Sequence, residues 1–263
     1  MGNTATVDFV ASRQDGRVLH IAIDREPKRN ALSDSILRRV AALLRGVPGS
    51  VGSVVLSGRG EHFSAGLDLQ ELVERDARGG MLHSRLWHEC LDAVQFSPVP
   101  VIAALQGAVI GGGLELAAAC HLRVADATAF FALPEGARGI FVGGGGSARI
   151  SRLIGAHRVT DMVLTGRVVE AGEGHRIGLA QYLVPPGEAG AKAAELAAAV
   201  AGNTPMTNYA VTHVLPRIAD AGLEVGLMTE SLAAGIAQSD PAAKERLADF
   251  LAGRSAKVTD TRD

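Results

Sequence analysis

Aromatic side chains are scarce in this chain of 263 residues: phenylalanine, tyrosine and tryptophan make up 4%, with a single tryptophan, Trp87. Cysteine is rarer still. Cys90 and Cys120 stand thirty residues apart with no CxxC spacing, which argues against a disulfide framework or zinc knuckle and reads as reduced intracellular thiols. Neither sign of charge dominates: 26 Lys plus Arg against 28 Asp plus Glu leave a net charge of −2, so no nucleic-acid partner held by general basicity is expected. No apolar run approaches the roughly 18–20 residues of a membrane span, and the start of the chain lacks a charged segment followed by an apolar one. A cytoplasmic protein with no membrane partner is expected. Met1 to Thr6 fits the loose N-myristoylation pattern, with no polybasic or second acyl signal beside it.

Glycine is abundant, 32 residues or about 12% against a usual ~7%. Backbone, more than side chains, is what such a chain presents to a ligand. Apolar content of 47% over this length suits one large domain or two small ones. Val18–Ile23 and Val51–Ser57 alternate like strands, and the amphipathic stretch Ser33–Arg45 lies between them. Ser33 is a fitting N-cap for that helix, and Gly46 with Pro48 ends it through a residue tolerant of the left-handed region. The rhythm returns with a helix at Met81–Phe96, a buried strand at Val99–Leu105, a helix at Gly112–Cys120, and strands at Leu122–Ala125 and Phe130–Ala132. Beyond about Gly143 the pattern is helical: 147–154, 156–164, 189–201, 206–219, 223–238 and 241–252. The alanine run Ala193–Ala201 reads as a helix with a close-packed face. An α/β layered core, residues 1–200, followed by a helical region, 201–263, is expected.

Several chemistries lack their residues. The spacing G-x-G-x-x-G fails because Leu116 stands where a glycine is needed after Gly111, and no G-x-x-x-x-G-K-[ST] occurs. G-x-S-x-G is absent, and the histidines have no metal-ligand spacing, so no metal is expected. Two glutamates remain in apolar, small-residue settings: Glu115 in GGGLELAAA and Glu135 in FFALPEG. The helix macrodipole alone is an ordinary reason for Glu115. The apolar neighbours add another, since a carboxyl in a low-dielectric pocket has its pKa raised, and two close together separate into one acid and one base. The triple glycine before Glu115 would begin a helix whose first N–H groups are unshielded, and the loop His62–Leu69 could supply a second donor. Two such donors hold a developing enolate oxygen. Enolate or acyl-transfer chemistry on a carbonyl follows, and the residues alone go no further.

Six segments resemble the crotonase family, the enoyl-CoA hydratase/isomerase superfamily. They are Asp24–Leu32, Phe63–Leu69, Pro100–Gly107, Gly111–Leu116, Ala132–Glu135 and Leu164–Arg167, in the family's order and within a likeness running from about Val18 to Gly253. The resemblance implies an α/β fold, a spiral of ββα units with a C-terminal helical trimerisation region, assembled as homotrimer or homohexamer. It implies an acyl-CoA substrate and no further cofactor. The N–H groups of Ala65 and Gly112 would form the oxyanion hole, Glu115 and Glu135 would flank the Cα=Cβ bond as acid and base, and Lys28, Arg29 and the segment Ala65, Gly66, Leu67, Asp68 and Leu69 would hold CoA. Retention of both glutamates favours an enoyl-CoA hydratase. An enoyl-CoA isomerase, an aromatic acyl-CoA hydratase/lyase and a non-catalytic acyl-CoA-binding subunit are the alternatives. Gly143 stands where dienoyl-CoA isomerases of the family carry an aspartate, and Val142 where many hydratases carry proline, so a different acyl pocket is expected there.

Overall fold

The computed structural model describes residues 9–68, 70 and 74–254. Two compact units follow one another along the chain, Met1–Ala201 and Gly202–Asp263. The first contains strands β1 (Val10–Asp15), β2 (Val18–Ile23), β3 (Ser53–Gly58), β4 (Val101–Leu105), β5 (Ala108–Ile110), β6 (Leu122–Asp126), β7 (Phe130–Ala132), β8 (Val169–Glu170) and β9 (Tyr182–Val184). They form a six-stranded sheet ordered β1-β2-β3-β4-β6-β9 and a three-stranded sheet ordered β5-β7-β8. Its helices are α1 (Asp34–Arg45), α2 (Ala77–Gln95), α3 (Gly112–Ala119), α4 (Gly146–Ile154), α5 (Ala156–Thr165), α6 (Ala171–Ile177) and α7 (Ala189–Ala201).

The order strand, strand, helix recurs. β4, β5 and α3 make one such unit, and β6, β7 and α4 the next, the first strand of each in the large sheet and the second in the small one. A shorter version runs from β3 through the bridge of Ser64 to Val109 and into α2. Each unit therefore brings the chain to the small sheet just before a helix begins, and that is where the glycine-rich turns and both glutamates lie.

β4 is buried along its whole length, as a parallel strand covered on both faces must be. Val101, Ala103 and Leu105 face the main core with Leu37 and Leu91, while Ile102 and Ala104 face Ala189, Ala193 and Ala197 of α7. Alanine at every fourth position lets α7 approach closely: Ser53 Oγ donates to Ala197 O at 2.8 Å, and a Cβ on Gly52 would lie 2.9 Å from the Ala201 Cβ. The close-packed face expected of this run is present. Ile36, Leu37, Val40 and Leu44 of α1 are buried, each side chain contributing about 1.5–3 kcal/mol. Ser33 caps that helix as expected, accepting from the Ile36 N–H, but Gly46 closes it at φ −99°, without a left-handed residue, because its N–H simply continues to Ala42 O.

Other boundaries differ for local reasons. α2 begins at Ala77, one turn before the expected Met81, because the Asp76 side chain accepts from Gly79 N–H and starts the helix there. β1 was not expected: it is an edge strand with four exposed residues, so its sequence lacks a buried stripe, and it is turned onto β2 by Gly16 at φ +54°. In the second unit the helix expected over 206–219 is α8 (Pro205–Tyr209), a π-turn over Ala210–Val214 and α9 (Leu215–Asp220). Pro216 has no N–H to continue the ladder and crowds the carbonyl four residues earlier, so the helix widens just before it. α10 (Leu223–Ser239) and α11 (Pro241–Leu251) complete this unit. No helix among the described residues is long and apolar enough to cross a membrane.

Candidate active site

The segment Ser64–Asp68 is threaded between two neighbours that consume nearly all its backbone groups. Ser64 N donates to Ala108 O, Ala65 N to Arg29 O at 2.9 Å, Gly66 N to Ser64 Oγ at 3.2 Å, and Asp68 N to Leu32 O at 2.7 Å. Leu67 N–H is the donor left over: it has no acceptor among the described residues. This corrects the expectation that Ala65 supplies an oxyanion-hole donor, because the Ala65 N–H is already spent on Arg29. Sequence reasoning could not find this, since the pairing joins segments that meet only in the fold.

The segment is held from behind. Asn30, fully buried at φ +56°, donates through Nδ2 to Arg59 O and His62 O and accepts from Arg25 N–H. Asp68 is buried beside the Arg25 guanidinium at 2.7 Å and the Lys28 ammonium at 3.1 Å. Burial pushes the Asp68 carboxyl up, but hydrogen bonds from Gln70 N–H, Lys28 and Arg25 outweigh it and hold the carboxyl below its ordinary value.

The second free donor lies opposite. Gly111 adopts φ +50°, ψ −121°, a conformation essentially restricted to glycine, and its N–H donates to Ala132 O. That turn starts α3 at Gly112, whose N–H likewise has no acceptor among the described residues. A Cβ on Gly112 would lie 3.5 Å from Leu67 N and 2.6 Å from the Trp87 ring, and one on Gly66 would lie 3.3 Å from Gly112 N. The Leu67 and Gly112 amides are thus neighbours, kept close by two glycines.

Glu115 leaves α3 toward the turn before α4, and Oε1 accepts from both Gly144 N and Gly146 N at 2.8 Å. The glycine run 143–146 cradles this carboxylate. Ser84 Oγ and Arg149 Nη1 hold the turn by donating to Gly143 O and Gly144 O. Glu115 is 4% exposed, and burial raises its carboxyl to about 7 against the two amide bonds, with the charge of Glu135 pushing the same way. Glu135, just beyond β7, is 6% exposed, and burial raises its carboxyl too. Its Oε2 is enclosed with no hydrogen-bond partner among the described residues.

Ala65, Gly66, Leu67, Gly112, Glu115 and Glu135 all line one cavity of about 270 Å³, with Trp87, His83, Arg138 and Phe141 on its wall. Lys28 and Arg29 do not line it. The Lys28 ammonium is engaged by Asp68 and Gln70 Oε1, and Arg29 borders a separate depression with Arg59 and His62. Asp68 lies buried outside the cavity wall, and Leu69 lies outside the described residues. Val142 is buried in the core and is not among the cavity residues; its neighbours Phe141 and Gly143 are. Valine there does not itself shape the cavity wall. Trp87, His83, Arg138 and Phe141 are wall residues that sequence reasoning did not place in the site, for want of any local motif around them.

Known proteins share this arrangement of elements. The family described as Enoyl-CoA hydratase/isomerase matches residues 13–260. Short-chain-enoyl-CoA hydratase of Clostridium acetobutylicum is 31% identical over 93% of this chain and 95% of its own, and 2,3-dehydroadipyl-CoA hydratase of Escherichia coli is 32% identical over 85% and 87%. A solved structure of a provisionally assigned enoyl-CoA hydratase from Rhodopseudomonas palustris is 53% identical and superimposes with a TM-score of 0.92, covering 98% of this chain and 100% of that one. With the crotonase fold, the free amide pair and the glutamates in one cavity, and a family match over most of its length, the chain belongs to the enoyl-CoA hydratase/isomerase family.

Proposed function

We propose that the protein is a hydratase that adds water across the 2,3 double bond of a 2-enoyl-CoA thioester. The observation that carries this reading is the convergence, in one cavity, of two unpartnered N–H groups and two buried carboxyls of raised pKa. The thioester oxygen accepts from Leu67 and Gly112 N–H, so that charge developing there is met by fixed dipoles, an effect worth ~3 kcal/mol per donor. The water oxygen bonds to Cβ while the π pair moves through Cα to the thioester oxygen, giving an enolate. Glu115, kept acceptor-ready by its two amide bonds and titrating near neutral pH, takes the water's proton. The proton then passes by way of the carboxyl pair to Cα, with Glu135 on that side, and the enolate returns to a thioester. The water supplies both the hydroxyl on Cβ and the proton on Cα, and the carboxyl pair ends each turnover as it began, so no further cofactor takes part. Lys28 and Arg29 serve the phosphates of CoA from outside the cavity. Exposed Val225, Met228, Leu232 and Ile236 form a stripe on α10, which supports self-association as a homotrimer or homohexamer, read by light scattering.

The test is the ultraviolet band of the conjugated enoyl thioester, followed with purified protein on substrates from crotonyl-CoA to cinnamoyl-CoA. Loss of the band with formation of 3-hydroxyacyl-CoA is expected. Glu115→Gln and Glu135→Gln should each lower kcat by about 10²–10⁴ with little change in CoA affinity. Turnover that survives Glu115→Gln and moves a double bond without adding water would replace the hydratase reading with an isomerase.

A further inference from the structure

The cavity wall carries a polar pair that hydration does not use. Asp34, the first residue of α1, and His83 and Trp87, one turn apart on α2, meet through one oxygen: His83 Nε2 lies 3.0 Å from Asp34 Oδ1, and Trp87 Nε1 donates to the same oxygen at 3.0 Å. His83 and Trp87 both line the cavity, and their rings meet edge to face with centroids 6.1 Å apart. A carboxylate only accepts, so in the neutral form of the His83 ring the hydrogen sits on Nε2 and the lone pair is on Nδ1. Nδ1 has no partner among the described residues.

An apolar acyl chain has no use for an imidazole fixed in this tautomer. We infer that the acyl group taken by this cavity carries a hydroxyl, which donates to His83 Nδ1 while Asp34 fixes the ring. This rests on the acyl-thioester reading of the site. A carboxylate in the hydroxyl's place fits worse, because Glu115, Glu135 and Asp34 put three acids on or behind the wall, and the one guanidinium among the described lining residues, that of the exposed Arg138, already acts on the Glu135 carboxyl. Trp87, whose ring reaches both Gly112 and Gly144, gives the chain a flat surface between the amide pair and Glu115. Asp34 is a positioning residue for both rings.

Trp87 is the only tryptophan in the chain, so its fluorescence reports occupancy of the cavity directly. Saturated thioesters are the probes, because they bind without reacting: 4-, 5- and 6-carbon ω-hydroxyacyl-CoA and 4-hydroxyphenylpropanoyl-CoA, each titrated against its unhydroxylated parent, with adipyl-CoA as the anionic control. One hydroxylated ligand should bind about tenfold tighter than its parent, and that ratio should fall to near one in His83→Phe. The ratio compares two ligands on one protein, so a general loss of fold in the variant cancels, and His83→Leu with a circular dichroism spectrum checks it. No preference in any pair on the unaltered protein, a preference that persists in both variants, or adipyl-CoA binding better than every hydroxylated probe would each overturn the inference. Failure to hydrate any enoyl-CoA, with the tenfold ratio intact, would instead overturn the hydratase reading alone.

Discussion

Glu115 makes the active site costly to fold at neutral pH, and the cost is measurable. Its carboxyl moves from an ordinary value of 4.5 to about 7 on folding, chiefly because burial penalises its charge. Below pH 4.5 both states hold the proton, and the group is neutral to stability. Between pH 4.5 and about 7 the unfolded chain releases the proton while the folded chain keeps it, so stability falls as pH rises through this window. At ~1.36 kcal/mol for each tenfold change in proton affinity, the full loss is about 3 kcal/mol. Glu115→Gln keeps an acceptor for the Gly144 and Gly146 N–H groups and removes the ionisation. Urea unfolding of both proteins at several pH values gives the difference directly. The variant should match the parent near pH 4.5 and exceed it by up to about 3 kcal/mol at pH 8, while losing its turnover. A difference that stays constant from pH 4.5 to pH 8 would refute the reasoning, since it would mean that the Glu115 carboxyl ionises alike in both states.

Replacing the Leu67 amide by an ester, through semisynthesis, should lower kcat by about 10²-fold, the effect of one oxyanion donor; the same change at Ala65 should weaken folding more than turnover, because that N–H is bonded to Arg29. Gly112→Val would drive a branched side chain against the Trp87 ring, where even a Cβ comes within 2.6 Å, and isothermal titration should find acyl-CoA binding abolished. Asp68→Ala leaves the half-buried Arg25 guanidinium without its carboxylate and should cost about 1–3 kcal/mol in denaturant unfolding. Because the Asp68 carboxyl is held below its ordinary value, its stabilisation is present above the unfolded pKa and is lost as pH falls through the folded one, so the penalty of Asp68→Ala should shrink in acid.

Much of the scaffold was legible because local physics decides it. The alternation of β2 and β3, the Ser33 cap and the alanine spacing of α7 are all patterns within a few residues, and each yields the element expected. Glu115 and Glu135 stood out because acids in apolar, small-residue surroundings are conspicuous in one dimension. β1 did not stand out, since an exposed edge strand carries no buried stripe, and the π-turn before Pro216 depends on how a helix absorbs one missing donor. Val142 drew notice as a departure from a pattern, yet its side chain points into the core, a fact no spacing contains.

The sequence by itself determined most of the elements, the glycine turns and the identity of the two carboxyls, because these follow from side-chain period, φ preference and composition. Only the tertiary structure decided which backbone donors stay free. Ala65 and Leu67 are two residues apart in one loop and equal as sequence, but the strand-like pairing of that loop with 29–32 consumes the first N–H and leaves the second. The fold alone also brings Asp34 to His83 and Trp87, and the amides of Gly144 and Gly146 to Glu115. Hydrogen bonding is a matter of angstroms between distant segments, and a linear chain specifies such distances only by folding.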